Sequence, residues 1–167
     1  MPHIRIVNSG YKSTREMQNL LNYIVAEPRH ETKGLVGGNG ILVGSAQEVY
    51  TQMMEIKRYY QKTDGYMLRH IFISLSEDEM EYIGGTELYI IGMRVCNLFP
   101  RYQSLFAIHF EKKHLHLHIA INTVSYVDGR KLQLPLEYQF HEEVEEIISH
   151  YLPQQPIIPL NETAYLF

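Results

Sequence analysis

The alternation of apolar and polar positions divides the chain into short strands and amphipathic helices. Where every second residue is apolar, the pattern predicts a strand, and where apolar residues recur at three- and four-residue intervals it predicts a helix. Strands interleaved with helices, together with one hairpin, indicate an α+β fold with a largely antiparallel sheet. The predicted strands are 3–7, 69–75, 104–110 and 114–124, and the predicted helices are 14–26, 45–61, 76–98 and 141–152.

Local signals set several boundaries of these elements. Ser13 and Thr14 are candidate N-caps of the first helix, and Pro28 ends it. The third helix begins with a capping box and is expected to break at the glycine pair 84–85. The glycine-rich stretch 34–44 fits either a short strand or a loop. Residues 1–152 are therefore expected to form one domain, and the proline-containing residues 153–167 an extended tail.

Composition narrows the class of protein without identifying a partner. The chain has 167 residues and a net charge of −4, and its single cysteine excludes an internal disulfide. Residues 1–75 hold nine basic against six acidic side chains, and residues 76–167 hold six against thirteen. A local basic groove is possible, although charge alone would not suggest DNA. With no apolar run long enough for a membrane, we expect a cytoplasmic protein without a membrane partner.

The most informative segment is a histidine-rich hairpin. In a strand, alternate residues share a face, so His114, His116 and His118 project the same way. A tight turn at 112–113 pairs His109 with His116 at a Cα separation of about 5 Å. Neutral imidazoles clustered on a rigid surface are what a divalent metal needs, and three ligands leave positions for substrate. The alternative, a polar sheet face that happens to contain histidines, does not account for this register.

At these residues a family resemblance becomes specific. The pattern of His109, His116 and His118 followed by Asn122 resembles the metal-binding motif of the histidine-hydrophobe-histidine (HUH) endonucleases. Within that superfamily it is most similar to the P-type (Mob) relaxases of conjugative and mobilisable elements. Upstream, residues 22–24 resemble the motif that carries the nucleophilic tyrosine of these relaxases. The order of these blocks extends the resemblance over residues 1 to about 150, nearly the whole chain.

The resemblance implies a fold, an activity and partners. The implied fold is a central antiparallel sheet of about five strands with helices packed on one face and the metal on the other. The implied activity is nicking of one DNA strand at an origin of transfer, which leaves a 5′-phosphotyrosine and a free 3′-hydroxyl. The implied cofactor is a divalent metal ion, manganese or magnesium, with zinc or nickel as alternatives. The implied partners are single-stranded DNA at an origin of transfer and accessory relaxosome and coupling proteins.

Helical geometry selects the nucleophile from thirteen tyrosines. At about 100° per residue, Tyr23 lies about 130° from the centre of the apolar stripe of the first helix. It is a large aromatic residue on a polar face, where packing does not require it, although a surface contact would also account for it. Tyr151 falls on the apolar stripe of the last helix. Tyr59 and Tyr60 are adjacent, so at least one should be exposed, and both remain possible. Geometry and resemblance together favour Tyr23.

Supporting roles are predicted for residues near the hairpin and in the basic half. Glu111 has the parity of His109 and either orients a ligand imidazole or is a solvated turn residue. Asn122 is expected to support a ligand or the tyrosine, and His70 to be structural. The candidate DNA-binding residues are Arg5, Lys12, Arg15, Lys33 and His114.

Other functions remain open at this point. A single-tyrosine HUH transposase would keep the metal site and use Tyr138 or Tyr151 on a later helix. A non-catalytic DNA-binding accessory protein, or a decayed relaxase, would explain the acidic balance. A metal-dependent enzyme acting on small molecules would show no DNA affinity and no need for Tyr23.

Overall fold

The computed structural model describes residues 1–7, 11–26, 35–111 and 113–154, and within them it has five strands and five helices. The strands are β1 (His3–Val7), β2 (Val36–Asn39), β3 (Leu68–Ser74), β4 (Ser104–Glu111) and β5 (His114–Asn122). The helices are α1 (Thr14–Val25), α2 (Ala46–Tyr59), α3 (Glu77–Met80), α4 (Gly85–Cys96) and α5 (Glu137–Ser149).

The strands form one sheet in the order β1-β3-β5-β4-β2, and every neighbouring pair is antiparallel. This confirms the predicted α+β class and the five-stranded antiparallel sheet. The β4–β5 hairpin pairs His109 with His116, as the turn geometry predicts. β3 lies on the other side of β5 and sets Phe72 opposite His118. The histidine strand is therefore central, with a neighbour on each side.

Helices cover both faces of the sheet, which corrects the expectation of helices on one face only. On one face, α1 and α2 pack against inward residues such as Leu105, Ala107 and Ala120. On the other face, α4 and α5 pack against residues that include Phe106 and Leu117. Six consecutive residues of β4 are buried, so this strand is apolar on both sides and requires cover on both.

Element boundaries follow the local signals in most places. The side chains of Ser13, Ser45 and Ser76 each accept a hydrogen bond from a backbone N–H of the first turn that follows. The helix after Ser76 breaks before Gly85, as predicted. α5 begins at Glu137, four residues before its predicted start at 141, because it has no side-chain N-cap to mark it. The predicted stop at Pro28 and residues 155–167 of the predicted tail lie outside the described residues.

The glycine-rich stretch forms an edge strand. β2 pairs with β4, and a Cβ atom on Gly37 would lie 2.4 Å from the ring of Phe106. Glycine is therefore required for β2 to approach the sheet this closely. Of the helices described, none has the length and apolar character needed to cross a membrane.

Candidate active site

α1 carries Tyr23 to the histidine face of the sheet. The helix buries Met17, Leu21 and Ile24 against α2 and the sheet, which leaves Tyr23 42% exposed. The tyrosine ring nevertheless lies edge-on to two imidazoles, with centroids 5.3 Å from His109 and 5.1 Å from His118. Its hydroxyl oxygen is 3.5 Å from Nε2 of His118. The predicted nucleophile thus reaches the predicted metal ligands while one side remains open to solvent.

The three predicted ligand histidines are neighbours on adjacent strands. Ring centroids of His109 and His118 are 4.8 Å apart, and those of His116 and His118 are 6.3 Å apart. His109 and His118 are buried, and His116 is partly buried. Nε2 of His109 hydrogen-bonds to the backbone carbonyl oxygen of Ile24 at 3.0 Å, which joins the last turn of α1 to β4.

The donor set suits a divalent metal, whereas its side chains do not converge on one. Three neighbouring imidazoles, two of them shielded from water, are the neutral nitrogen donors that such an ion requires. Glu111 adds a carboxylate, 3.9 Å from Nδ1 of His109 and 3.9 Å from Nδ1 of His116. Among the described residues, however, no group of three or more His, Cys, Asp or Glu side chains is arranged to hold an ion.

Burial controls the electrostatics of this face. Loss of water, reinforced by the imidazoles of His109, His70 and His116, lowers the pKa of His118 to about 3. Burial also raises the pKa of the Tyr23 hydroxyl, and the neighbouring Glu111 carboxylate raises it further. The site therefore keeps His118 neutral and Tyr23 protonated at neutral pH.

Two residues behind the ligands make contacts that the sequence did not predict. His70 on β3 lies 3.2 Å from His118, between Nε2 of His70 and Nδ1 of His118, and its ring stacks on that of His118. The hydroxyl of Tyr11 lies 3.0 Å from Nδ1 of His70. Burial and the charge of Arg5 lower the pKa of His70 to about 4. The sequence predicted the strand that carries His70, but it did not predict that this strand, β3, pairs with β5.

The far end of β5 is also polar but lies away from Tyr23. The amide of Asn122 donates to the carbonyl oxygen of Met53 at 3.2 Å and to the side chain of Gln103 at 2.9 Å. Nζ of the buried Lys57 donates to the hydroxyl of Thr123 at 3.0 Å. The predicted role of Asn122 beside the ligands or the tyrosine has no counterpart in these contacts, which join β5 to α2 and to the residue before β4.

Lys57 has an unusual environment for a cation. Burial, with a further contribution from the positive charge of Lys131, lowers the pKa of Lys57 to about 7.

Four of the five predicted DNA-binding residues lie within the described part of the chain. Arg5, Lys12 and Arg15 are exposed, and Nζ of Lys12 lies 4.9 Å from the ring centroid of Tyr66. His114 is half-buried, and its Nδ1 hydrogen-bonds to the carbonyl oxygen of Leu75 at 3.2 Å. Lys33 lies outside the described residues.

The tyrosines that a transposase would require occupy a different place. Tyr138 lies on α5 and is 60% exposed, and Tyr151 follows α5 and packs partly against the core on that face. α5 and the histidines are on opposite faces of the sheet. Of these candidates, Tyr23 is the one that contacts the histidines.

The chain matches a model of a known protein family. A family model described as "Relaxase: MobA/VirD2-like, nuclease domain" matches residues 23–151, which is more than half of the chain. The matched segment begins at Tyr23 and includes the whole histidine hairpin. No protein of curated function matches the chain.

Proposed function

Because the chain belongs to the MobA/VirD2-like relaxase nuclease family, whose domain nicks DNA for mobilisation, we propose that Tyr23 cuts one DNA strand at an origin of transfer. The observation that carries this proposal is the approach of the Tyr23 hydroxyl to within 3.5 Å of Nε2 of His118, beside His109. An exposed phenol next to imidazoles that can bind a metal is suited to metal-assisted nucleophilic attack on a phosphodiester.

His109, His116 and His118 would hold a divalent ion. When bound, such an ion supplies positive charge that stabilises the non-bridging oxygens of a phosphate. Manganese or magnesium is the proposed ion, with zinc or nickel as alternatives, since three imidazoles accept any of these. Glu111 contacts both His109 and His116, so its proposed role is to orient these two imidazoles.

The proposed reaction is a transesterification. The Tyr23 oxygen forms a bond to phosphorus, and the bond from phosphorus to the 3′ oxygen breaks. The phenolic proton leaves Tyr23, and a proton is taken up by the departing 3′ oxygen, which becomes a hydroxyl. One phosphodiester replaces another, so the 5′-phosphotyrosine retains the capacity to rejoin the strand.

Single-stranded DNA is the proposed substrate. Arg5, Lys12 and Arg15 are exposed cations on or near the elements that carry the site, so they are placed to contact phosphates. His114 extends the histidine face by one position along β5 toward the hairpin turn. Accessory relaxosome and coupling proteins are proposed as further partners on the basis of the family alone.

The test is a gel assay for a covalent protein–DNA complex. The protein is incubated with labelled single-stranded oligonucleotides from the DNA that flanks its gene, with manganese or magnesium present. We expect a metal-dependent nick and a covalent band, both lost in Tyr23→Phe and in the double variant His116→Ala/His118→Ala.

Two matched variants decide between the alternatives. Tyr151→Phe and Tyr138→Phe should nick like the unaltered protein, since these tyrosines lie away from the histidine face. Loss of the covalent band in either variant, with Tyr23→Phe active, would establish a transposase-type nucleophile instead. Metal-independent DNA binding without any covalent band would identify an accessory protein.

A further inference from the structure

A chain of side-chain contacts crosses the site from one tyrosine to another. It runs from the Tyr11 hydroxyl to Nδ1 of His70 (3.0 Å), and from Nε2 of His70 to Nδ1 of His118 (3.2 Å). Nε2 of His118 then faces the Tyr23 hydroxyl at 3.5 Å. Both imidazoles are buried, at 7% and 4% exposure, so each ring nitrogen relies on these neighbours for a hydrogen-bond partner.

We propose that Tyr11 and His70 are positioning residues that hold His118 in the tautomer with its proton on Nδ1, so that Nε2 presents a lone pair on the side of Tyr23. This inference rests on the proposed function, because a lone pair on Nε2 is what a metal ligand needs. The hydrogen bonds then run in one direction. Tyr23 donates to His118, His118 donates to His70, and His70 donates to the hydroxyl oxygen of Tyr11.

The hydroxyl of Tyr11 permits this direction, because its oxygen can accept the hydrogen bond that Nδ1–H of His70 then donates. A buried N–H without an acceptor is costly, so His70 can carry its proton on Nδ1 only while Tyr11 accepts it. Without the hydroxyl, His70 would carry its proton on Nε2 and donate it to Nδ1 of His118. His118 would then have its own proton on Nε2, where it blocks a metal.

The backbone fixes Tyr11 in position for this role. Tyr11 has a φ of 58°, in the left-handed region that non-glycine residues seldom adopt. Its carbonyl oxygen accepts a hydrogen bond of 2.7 Å from the N–H of Met67, next to the start of β3. The strained residue is thus tied to the strand that carries His70, which is typical of side chains held for function.

The first experiment reads the tautomer directly and needs neither metal nor DNA. Long-range proton–nitrogen NMR of protein with nitrogen-15-labelled histidine distinguishes a proton on Nδ1 from one on Nε2, and His118→Gln assigns the signal. We expect His118 to carry its proton on Nδ1, and to transfer it to Nε2 in Tyr11→Phe. A proton on Nε2 of His118 in the unaltered protein overturns the proposal.

The second experiment measures manganese affinity by calorimetry, again without DNA. Tyr11→Phe and His70→Leu should each weaken manganese binding about 10- to 100-fold. His70→Gln keeps a carbonyl acceptor near the position of Nε2 and should restore binding to within about threefold of the unaltered protein. If His70→Leu and His70→Gln bind equally, the contribution is one of packing and the proposal fails.

Tyr50→Phe is the matched control for the lost hydroxyl. Tyr50 packs against the same apolar cluster as Tyr11, and within the described residues no hydrogen bond is recorded for its hydroxyl. It should change neither the tautomer nor the affinity, and equal behaviour of Tyr11→Phe and Tyr50→Phe would refute the proposal. Because both measurements are made without DNA, absence of nicking would count against the proposed function while the tautomer data still test this inference.

Discussion

The two ends of β5 carry polar side chains on the same face of the sheet, yet they do different things. At one end, His118 lies beside Tyr23, which is 42% exposed, and His116 lies next to His118. At the other end, Asn122 is fully buried and is hydrogen-bonded to Met53 and Gln103. Four residues, or about 13 Å along the strand, separate His118 from Asn122. A buried polar group marks a site only where a reactive group and solvent access accompany it.

The largest expected effect concerns the histidine end. His116→Ala should lower the rate of nicking about a thousandfold, about 4 kcal/mol of transition-state stabilisation, because it removes one of three predicted ligands. Its melting temperature should change little, since the ring is not fully buried. The measurement is single-turnover cleavage with manganese, with thermal melting of the same sample. Normal nicking by this variant would show that the metal site does not include His116.

The second-largest expected effect is a loss of stability at the end of β5 that carries Asn122. Asn122→Ala should lower the free energy of unfolding by about 2–4 kcal/mol, because it leaves the carbonyl of Met53 and the side chain of Gln103 without their donor. Urea denaturation measures this loss. Single-turnover nicking by the folded variant should be unchanged, and a selective loss of nicking would mean that both ends serve catalysis.

The buried Lys57, which donates to Thr123 next to Asn122, should make the free energy of unfolding depend on pH. Lys57 has an ordinary pKa of 10.5 and a folded pKa of about 7, so the unfolded chain binds this proton more tightly. Its contribution to stability therefore improves as the pH rises from about 7 to about 10.5. Lys57→Met should raise the free energy of unfolding at pH 7 by about 1–3 kcal/mol and flatten this rise.

Denaturation at several pH values checks that prediction. Arg58→Met, on an exposed residue of α2, is the control for loss of a surface charge and should leave the slope unchanged. An unchanged slope in Lys57→Met would show that Lys57 stays charged in the folded protein.

The smallest effect concerns the open surface next to the histidines. Arg5→Gln should weaken binding of single-stranded DNA only a few-fold and reduce the salt dependence of log Kd by about 0.7, as expected for one lost phosphate contact. Fluorescence anisotropy in the Tyr23→Phe background measures this without cleavage. Arg94→Gln on α4, across the sheet, is the control. Equal losses of DNA affinity in the two variants would show that the DNA does not bind specifically on the histidine face.

The sequence predicted what depends on local geometry. The pairing of His109 with His116 follows from strand parity and a tight turn, and the position of Tyr23 follows from the apolar stripe of α1. Long-range features were not accessible in this way. His70 was expected to be structural because no pattern indicates that β3 lies beside β5, and the role of Tyr11 depends on a loop conformation with positive φ.

Asn122 shows that a motif position does not by itself determine the contacts of a side chain. Its spacing from His118 fits the family pattern, but its contacts are those of a residue that holds β5 against α2. A motif gives the order of residues along a strand, whereas the partners of each side chain depend on which elements pack nearby. Sequence spacing therefore gives the face on which Asn122 lies, whereas its hydrogen-bond partners depend on the packing of α2 and on Gln103.

The hydrogen bond between His109 and the carbonyl oxygen of Ile24 makes one imidazole common to two tasks. The residue before Ile24 is Tyr23, so the ring that is predicted to bind the ion also anchors the turn that aims the nucleophile. If His109 binds the ion, occupancy of the metal site and the position of Tyr23 would be linked, and each would influence the other by the same free energy.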